Sequence, residues 1–214
     1  GVHTFEDYDA PMARAKELGL TVVACLFGGN RLYEDHGRGG VLTDEGRQGF
    51  ARFAAAAAAH YKGQPVVWEI WNEPNVRTFW RKDGTHNSRE FAEEYTALVA
   101  AVMPAMLAAD PEALVLAGSV SNYWEPSYQW TEFCFRNGIL ATGIRGWSVH
   151  PYGVKTPEEH AGGHARMREL LAEHGAPGLP LFNTERGYSV KETAEGWSGG
   201  SKARAREYQA WHFA

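Results

Sequence analysis

Apolar positions alternate between two rhythms along this chain. Residues 7–18 place Ala10, Ala13, Ala15 and Leu18 at helical spacing, and Gly19 follows as a stop. Residues 20–27 then run apolar without polar alternation, the mark of a strand covered on both faces of a parallel sheet. The same pair of signals recurs. A helix capped by Thr43 or Asp44 runs through Phe50, Phe53 and an alanine tract to Tyr61 and Gly63, and a strand follows over 66–71. Ser88, with Phe91 three residues on, opens a helix to about Ala109 that Asp110 and Pro111 end. Further expectations are a strand at 114–118, a helix at 128–137, a strand at 144–150, a helix at 157–174, a strand at 180–184 and a last helix from about Ser201 to Ala214.

Five strands alternating with helices of 10–20 residues call for parallel βα units. An open doubly wound sheet and a (β/α) TIM barrel both fit. Two features favour the barrel: polar residues suited to chemistry fall at the ends of several strands, and no Gly-x-Gly-x-x-Gly loop follows any of them. The expectation is an α/β fold of about five parallel strands, a partial barrel in one domain over residues 1–214, since a closed barrel takes eight strands and about 250 residues. The opening reads as the turn and helix after a strand that is not there, and the final helix as one that leads to another. Five strands would leave two raw edges and an apolar inner face, so the expectation is self-association into a homo-oligomer that covers those edges, or else missing strands supplied in trans or lying outside this chain.

Composition narrows the chemistry. The 214 residues carry a net charge of -5, which provides no basic footprint for nucleic acid. No run of about 18 apolar residues stands out, so no membrane span is expected, and any leader would lie upstream of the first residue, which leaves localisation open. Cys25 and Cys134 both read as buried free thiols. The 8 Trp and 9 Tyr exceed what a core needs, and Tyr123, Trp124, Tyr128 and Trp197 fall in apparent loops, where flat rings serve either as sugar-binding faces or as hydrophobic plugs.

The strongest chemical signal is a pair of glutamates at strand ends. Glu73 stands in Trp68-Glu69-Ile70-Trp71-Asn72-Glu73-Pro74-Asn75, and Glu185 closes Pro180-Leu181-Phe182-Asn183-Thr184-Glu185. Either one alone would read as a cap or a salt-bridge residue. Together, with the Asn72 amide beside the first, they suit glycosidic bond cleavage, in which one carboxyl transfers protons and the other attacks the sugar. His150 or Tyr152 would hold Glu185 ionised and aimed. Glu69 shares strand parity with Trp71 and Glu73, so it reads as an inward structural carboxylate with an unidentified partner. Neighbours Asn72 and Glu73 cannot both face inward on a regular strand, so a distortion is expected there.

These motifs resemble those of the clan A glycoside hydrolases, similar to the cellulase-like families 5 and 39. Residues 68–75 match the acid/base strand, Asn183-Thr184-Glu185-Arg186-Gly187-Tyr188-Ser189 resembles the nucleophile strand, and Ser148-Val149-His150-Pro151-Tyr152 matches the sixth-strand motif. The resemblance implies strands three to seven of an eight-fold barrel, with the first, second and eighth absent. It implies Glu73 as acid/base, Glu185 as nucleophile, Asn72 as partner of the sugar 2-hydroxyl, His150 and Tyr152 as supports, and Asn30 in a cleft-facing loop. Arg186 and Trp197 are candidate substitutes for an arginine and an aromatic floor that the absent strands commonly supply. The expected activity is a retaining β-glycoside hydrolase on glucan, xylan or mannan oligosaccharides or aryl β-glycosides, with no metal and no cofactor. The alternative is a weakly active or inactive remnant that still binds carbohydrate.

Weaker signals remain. His160 and His164, four apart beside two glutamates, read as a solvated helix face rather than a metal site. The glycines at 37–40 and 199–200 read as loops rather than phosphate cradles.

Overall fold

A computed structural model describes residues 3–33, 39–152 and 157–187. Five helices and five strands alternate within them: α1 (Glu6–Glu17), β1 (Val22–Leu26), α2 (Asp44–His60), β2 (Val66–Ile70), α3 (Arg89–Ala109), β3 (Leu114–Ser121), α4 (Glu125–Arg136), β4 (Gly146–His150), α5 (Pro157–Glu173) and β5 (Leu181–Asn183). A short 3-10 helix, Ile139–Thr142, joins α4 to β4. The helix expected beyond residue 200 lies outside the described residues.

The strands form one all-parallel sheet in the order β1-β2-β3-β4-β5. Strictly sequential order is what a barrel wall requires, whereas a doubly wound sheet reverses direction at a switch point. The fold is therefore a five-strand arc of a (β/α) barrel.

Capping and alanine content explain the helix bounds and packing. The Thr43 side chain accepts from the Gly46 N–H, and Ser88 from the Phe91 N–H, which satisfies donors the first helical turn leaves free. Ala51, Ala54, Ala57 and Ala58 are buried on α2, where their small size lets the helix lie close to α3. α3 is long and apolar enough by length and composition to cross a membrane. Here it packs against α2 and α4, with Phe91, Tyr95, Leu98, Val102 and Met106 in the core.

Three expectations are corrected. Cys134 is a buried free thiol, but Cys25 is exposed, because strand β1 is at the edge of the sheet and its inner face is only partly covered. Tyr128 belongs to α4, which begins three residues earlier than its apolar pattern suggested because Pro126 occupies its first turn. Strand β3 runs on to Ser121: at Gly118 (φ 115) and Ser119 (φ 50) the register slips, and pairing with β4 resumes at Val120. A Cβ at Gly118 would stand 2.6 Å from the Ser148 carbonyl oxygen, so only glycine fits this bulge.

Candidate active site

The expected distortion after β2 is present. Pairing stops at Ile70, and both Trp71 (φ 70) and Glu73 (φ 43) take left-handed backbone, a costly conformation for residues with side chains. Trp71 consequently leaves the face it would share with Glu69. Its indole is fully buried on the helix side, against Phe50 and Trp80, and its Nε1–H donates to the Phe79 carbonyl. Glu73 is turned to the sheet's inner side, where its backbone N–H donates to Ser119 Oγ at 3.3 Å.

Tyr95 of α3 braces this strand end. Its hydroxyl donates to the Ile70 carbonyl (2.8 Å) and accepts from the Gly118 N–H (2.9 Å) that the β3 bulge releases from the ladder. Asn75 fixes the following loop, with its amide donating to Asn87 and to the Ser121 carbonyl, and its Oδ1 accepting from the Ser121 N–H. Sequence reasoning did not single out Tyr95, Asn75 or Ser119. A buried asparagine just past a strand-end proline is the only local hint any of them offers.

His150, at the end of β4, gathers the acidic residues. It is 1% exposed. Its Nδ1 lies 3.3 Å from Glu73 Oε1 and 3.4 Å from Glu185 Oε2, and its Nε2 lies 3.2 Å from Ser119 Oγ and 3.8 Å from Glu69 Oε2. Two contacts to one nitrogen place the nearest Glu73 and Glu185 oxygens no more than about 6.7 Å apart, 3.3 and 3.4 Å added end to end. Tyr152 donates to Glu185 Oε1 at 2.7 Å. The Glu73 side chain is 11% exposed and that of Glu185 is 49% exposed, so one carboxylate is enclosed and the other open.

Electrostatics follow from this crowding. Burial disfavours a charged His150, but Glu69 and Glu73, with the field of Glu185, outweigh it and raise its pKa to about 9. Burial likewise pushes the Glu69 carboxyl up, yet His150, Ser148 and Thr184 more than offset this and hold it below the ordinary carboxylate value. Desolvation, then contact with Glu185, raises the Tyr152 phenol to about 12, so it stays a hydrogen-bond donor at neutral pH. Although Cys25 as a residue is exposed, the protein around its sulfur desolvates the thiol and, with the charges of Glu69 and Glu185, pushes it to about 12, which makes it a poor nucleophile.

The other candidates are placed as follows. Asn72 is half-buried beside Glu73. Trp124 is half-exposed at the start of α4. Asn30 caps its own turn by accepting from the Leu32 N–H, and it lines a separate cavity of about 460 Å³ with Phe27, Tyr33 and Phe50, which none of the site carboxylates borders. Arg186 is half-buried, and Trp197 lies outside the described residues. Tyr123 and Tyr128 stack on each other, 6.2 Å between centroids, and the Tyr123 hydroxyl meets His164 Nδ1 at 2.5 Å. His160 and His164 are thus half-buried packing residues, not a solvated face, because Gly163 leaves room for the Tyr123 ring against α5. Among the described residues no cluster of His, Cys, Asp and Glu has the makings of a metal site.

Fold and site together define a (β/α)-barrel arc with two glutamates converging from the ends of β2 and β5. Solved structures share that fold. A family 39 glycoside hydrolase from the gut symbiont Bacteroides cellulosilyticus WH2 is 16% identical, with a TM-score of 0.66 over 97% of this chain and 45% of that one. The catalytic core of xylanase A is 19% identical, with a TM-score of 0.68 over 94% and 60%. A monomeric beta-xylosidase from Caulobacter crescentus CB15 is 23% identical, with a TM-score of 0.53 over 67% and 31%. The chain spans about a third of the length of that xylosidase. No protein-family model and no curated protein matches the sequence. The resemblance to barrel glycoside hydrolases read from the motifs therefore agrees with the fold, and the fit to part of each neighbour agrees with a partial barrel.

Proposed function

We propose that this chain carries the active site of a retaining β-glycoside hydrolase acting on β-linked oligosaccharides or aryl β-glycosides, with xylosides the first substrates to test. The observation that carries the proposal is the approach of Glu73 and Glu185 to one nitrogen of His150. That contact bounds the distance between two oxygens, and the ~5–5.5 Å between carboxyl groups of retaining enzymes lies within what it allows; the retaining assignment follows the resemblance of the two glutamate motifs. The xylan type is suggested by neighbours described as xylanase and beta-xylosidase.

In this reading a protonated Glu73 gives its proton to the glycosidic oxygen as the Glu185 carboxylate attacks the anomeric carbon. The bond to the leaving group breaks, and a glycosyl ester to Glu185 forms. Glu73, now a carboxylate, takes a proton from water as that water's oxygen attacks the same carbon and releases Glu185. Asn72 stands beside Glu73 to bond the 2-hydroxyl. Tyr152 and His150 aim the Glu185 carboxylate. The chemistry needs neither metal nor cofactor.

The test is hydrolysis of 4-nitrophenyl β-D-xyloside and of xylan by the wild type, Glu73→Gln and Glu185→Gln. Turnover lost in both variants supports the proposal, and no turnover by well-folded wild type overturns it.

A second reading, carbohydrate binding without turnover in a self-associated form, draws on one observation. Leu20, Val23 and Phe27, along and just beyond β1, are each about half exposed, an apolar edge that a second copy would cover. A solution mass of one 23.7 kDa chain would remove it.

A further inference from the structure

The sheet's inner face holds a third carboxylate, for which the two-glutamate chemistry has no task. Glu69, the next-to-last residue of β2, is 3% exposed and paired in register with Cys25 of β1 and Leu116 of β3. An ionised carboxylate at such a place is costly unless it is paired and hydrogen-bonded. Its Oε1 accepts a 2.7 Å hydrogen bond from Thr184 Oγ1, and its Oε2 lies 3.8 Å from His150 Nε2. The first partner directly precedes Glu185, and the second contacts both Glu73 and Glu185.

We propose that Glu69 is a positioning residue of this site: it anchors the end of β5 through Thr184 and keeps His150 as an imidazolium whose Nδ1–H faces the Glu185 carboxylate and, once Glu73 has given up its proton, the Glu73 carboxylate as well. The proposal rests on the glycosidase reading for its catalytic meaning, but the linkage among Glu69, Thr184 and His150 stands on contacts of its own. An imidazole has two nitrogens, and both bear protons only when the ring is charged. A negative group on the Nε2 side therefore favours the form that can also donate from Nδ1. Ser119, the other neighbour of Nε2, is neutral and serves equally as donor or acceptor, so it does not select the charged form. The charged or titratable groups facing the imidazole are Glu69 and Glu73 from β2 and its end, and Glu185 from the end of β5. Beyond them, Cys25 of β1 and the Tyr152 phenol stay neutral near pH 7.

A residue that never meets the substrate then shapes the field at the attacking carboxylate. Glu69 sets the charge of His150, and that charge lies 3.4 Å from the attacking oxygen. The geometric part acts through Thr184, since movement of its hydroxyl shifts the adjoining Glu185.

The experiment follows the His150 ring by NMR titration in the wild type, Glu69→Gln and Thr184→Val, alongside the pH profile of kcat/KM on 4-nitrophenyl β-D-xyloside. The expected wild-type midpoint is about 9. Glu69→Gln moves it by at least one unit toward the ordinary value of 6.5 and lowers kcat/KM. Thr184→Val produces a smaller shift in the same direction and decides the matter if the Glu69 variant does not fold. A folded Glu69→Gln protein, or failing that Thr184→Val, whose His150 midpoint is unchanged overturns the proposal. An inactive wild type in which the midpoint still shifts overturns the glycosidase reading and leaves the linkage standing.

Discussion

The Tyr152 hydroxyl donates a 2.7 Å hydrogen bond to Glu185 Oε1, so the more exposed of the two glutamates is held by a residue two positions past the end of β4. The phenol remains protonated across neutral pH and therefore donates throughout the working range. Tyr152→Phe removes that bond and keeps the ring. A hydrogen bond to a charged group is worth ~1.5–3 kcal/mol, so kcat/KM on an aryl β-xyloside should fall roughly 10- to 100-fold. Steady-state kinetics across pH 5–8 check this.

His150 also ties stability to pH. Its pKa is raised from 6.5 to about 9 in the folded state, so its contribution is fully present below pH 6.5 and is lost as pH rises through 9. The shift corresponds to on the order of 3 kcal/mol. Glu69 runs the other way, because a lowered folded pKa gives stability that is lost as pH falls through the acid range. Urea denaturation at pH 6.5 and at pH 9 should show the wild type losing more stability than His150→Gln over that interval. Parallel curves for the two proteins would refute this.

Tyr95 carries the strained junction between β2 and β3. Tyr95→Phe leaves the buried Ile70 carbonyl and Gly118 N–H without the partner they share. Unsatisfied buried groups cost ~1–3 kcal/mol each, so the variant should lose about 2 kcal/mol or more in urea denaturation. Because Ile70 lies three residues before Glu73, activity should fall as well.

The elements themselves were legible because local signals agree: apolar runs for strands, Thr43 and Ser88 as caps, and the alanine tract for a packed helix. The pairing of Glu73 with Glu185 was legible too, since both follow apolar runs. What sequence could not reveal depends on contacts between distant residues or on local backbone choice. Glu69 meets Thr184 across 115 positions, and no local pattern names that partner. Trp71 defeats strand parity because its left-handed backbone sends the indole into the helix-side aromatic cluster, where burial of a large ring outweighs the strain. Cys25 looked buried in an unbroken apolar run, but that run forms an edge strand with one face only partly covered. His160 and His164 looked polar and solvated because Tyr123, 41 positions from His164, was not visible as their packing partner.

The most direct test of a two-glutamate site is to trap the glycosyl ester. The wild type and Glu73→Gln would be incubated with a 2-deoxy-2-fluoro-β-xyloside bearing a good leaving group, then digested and mapped by mass spectrometry. The expected result is one fluoroxylosyl group on the peptide containing Glu185, with none on any peptide of Glu185→Gln. Turnover of aryl β-xylosides with no label on Glu185, or with label on another residue, would contradict the roles assigned here.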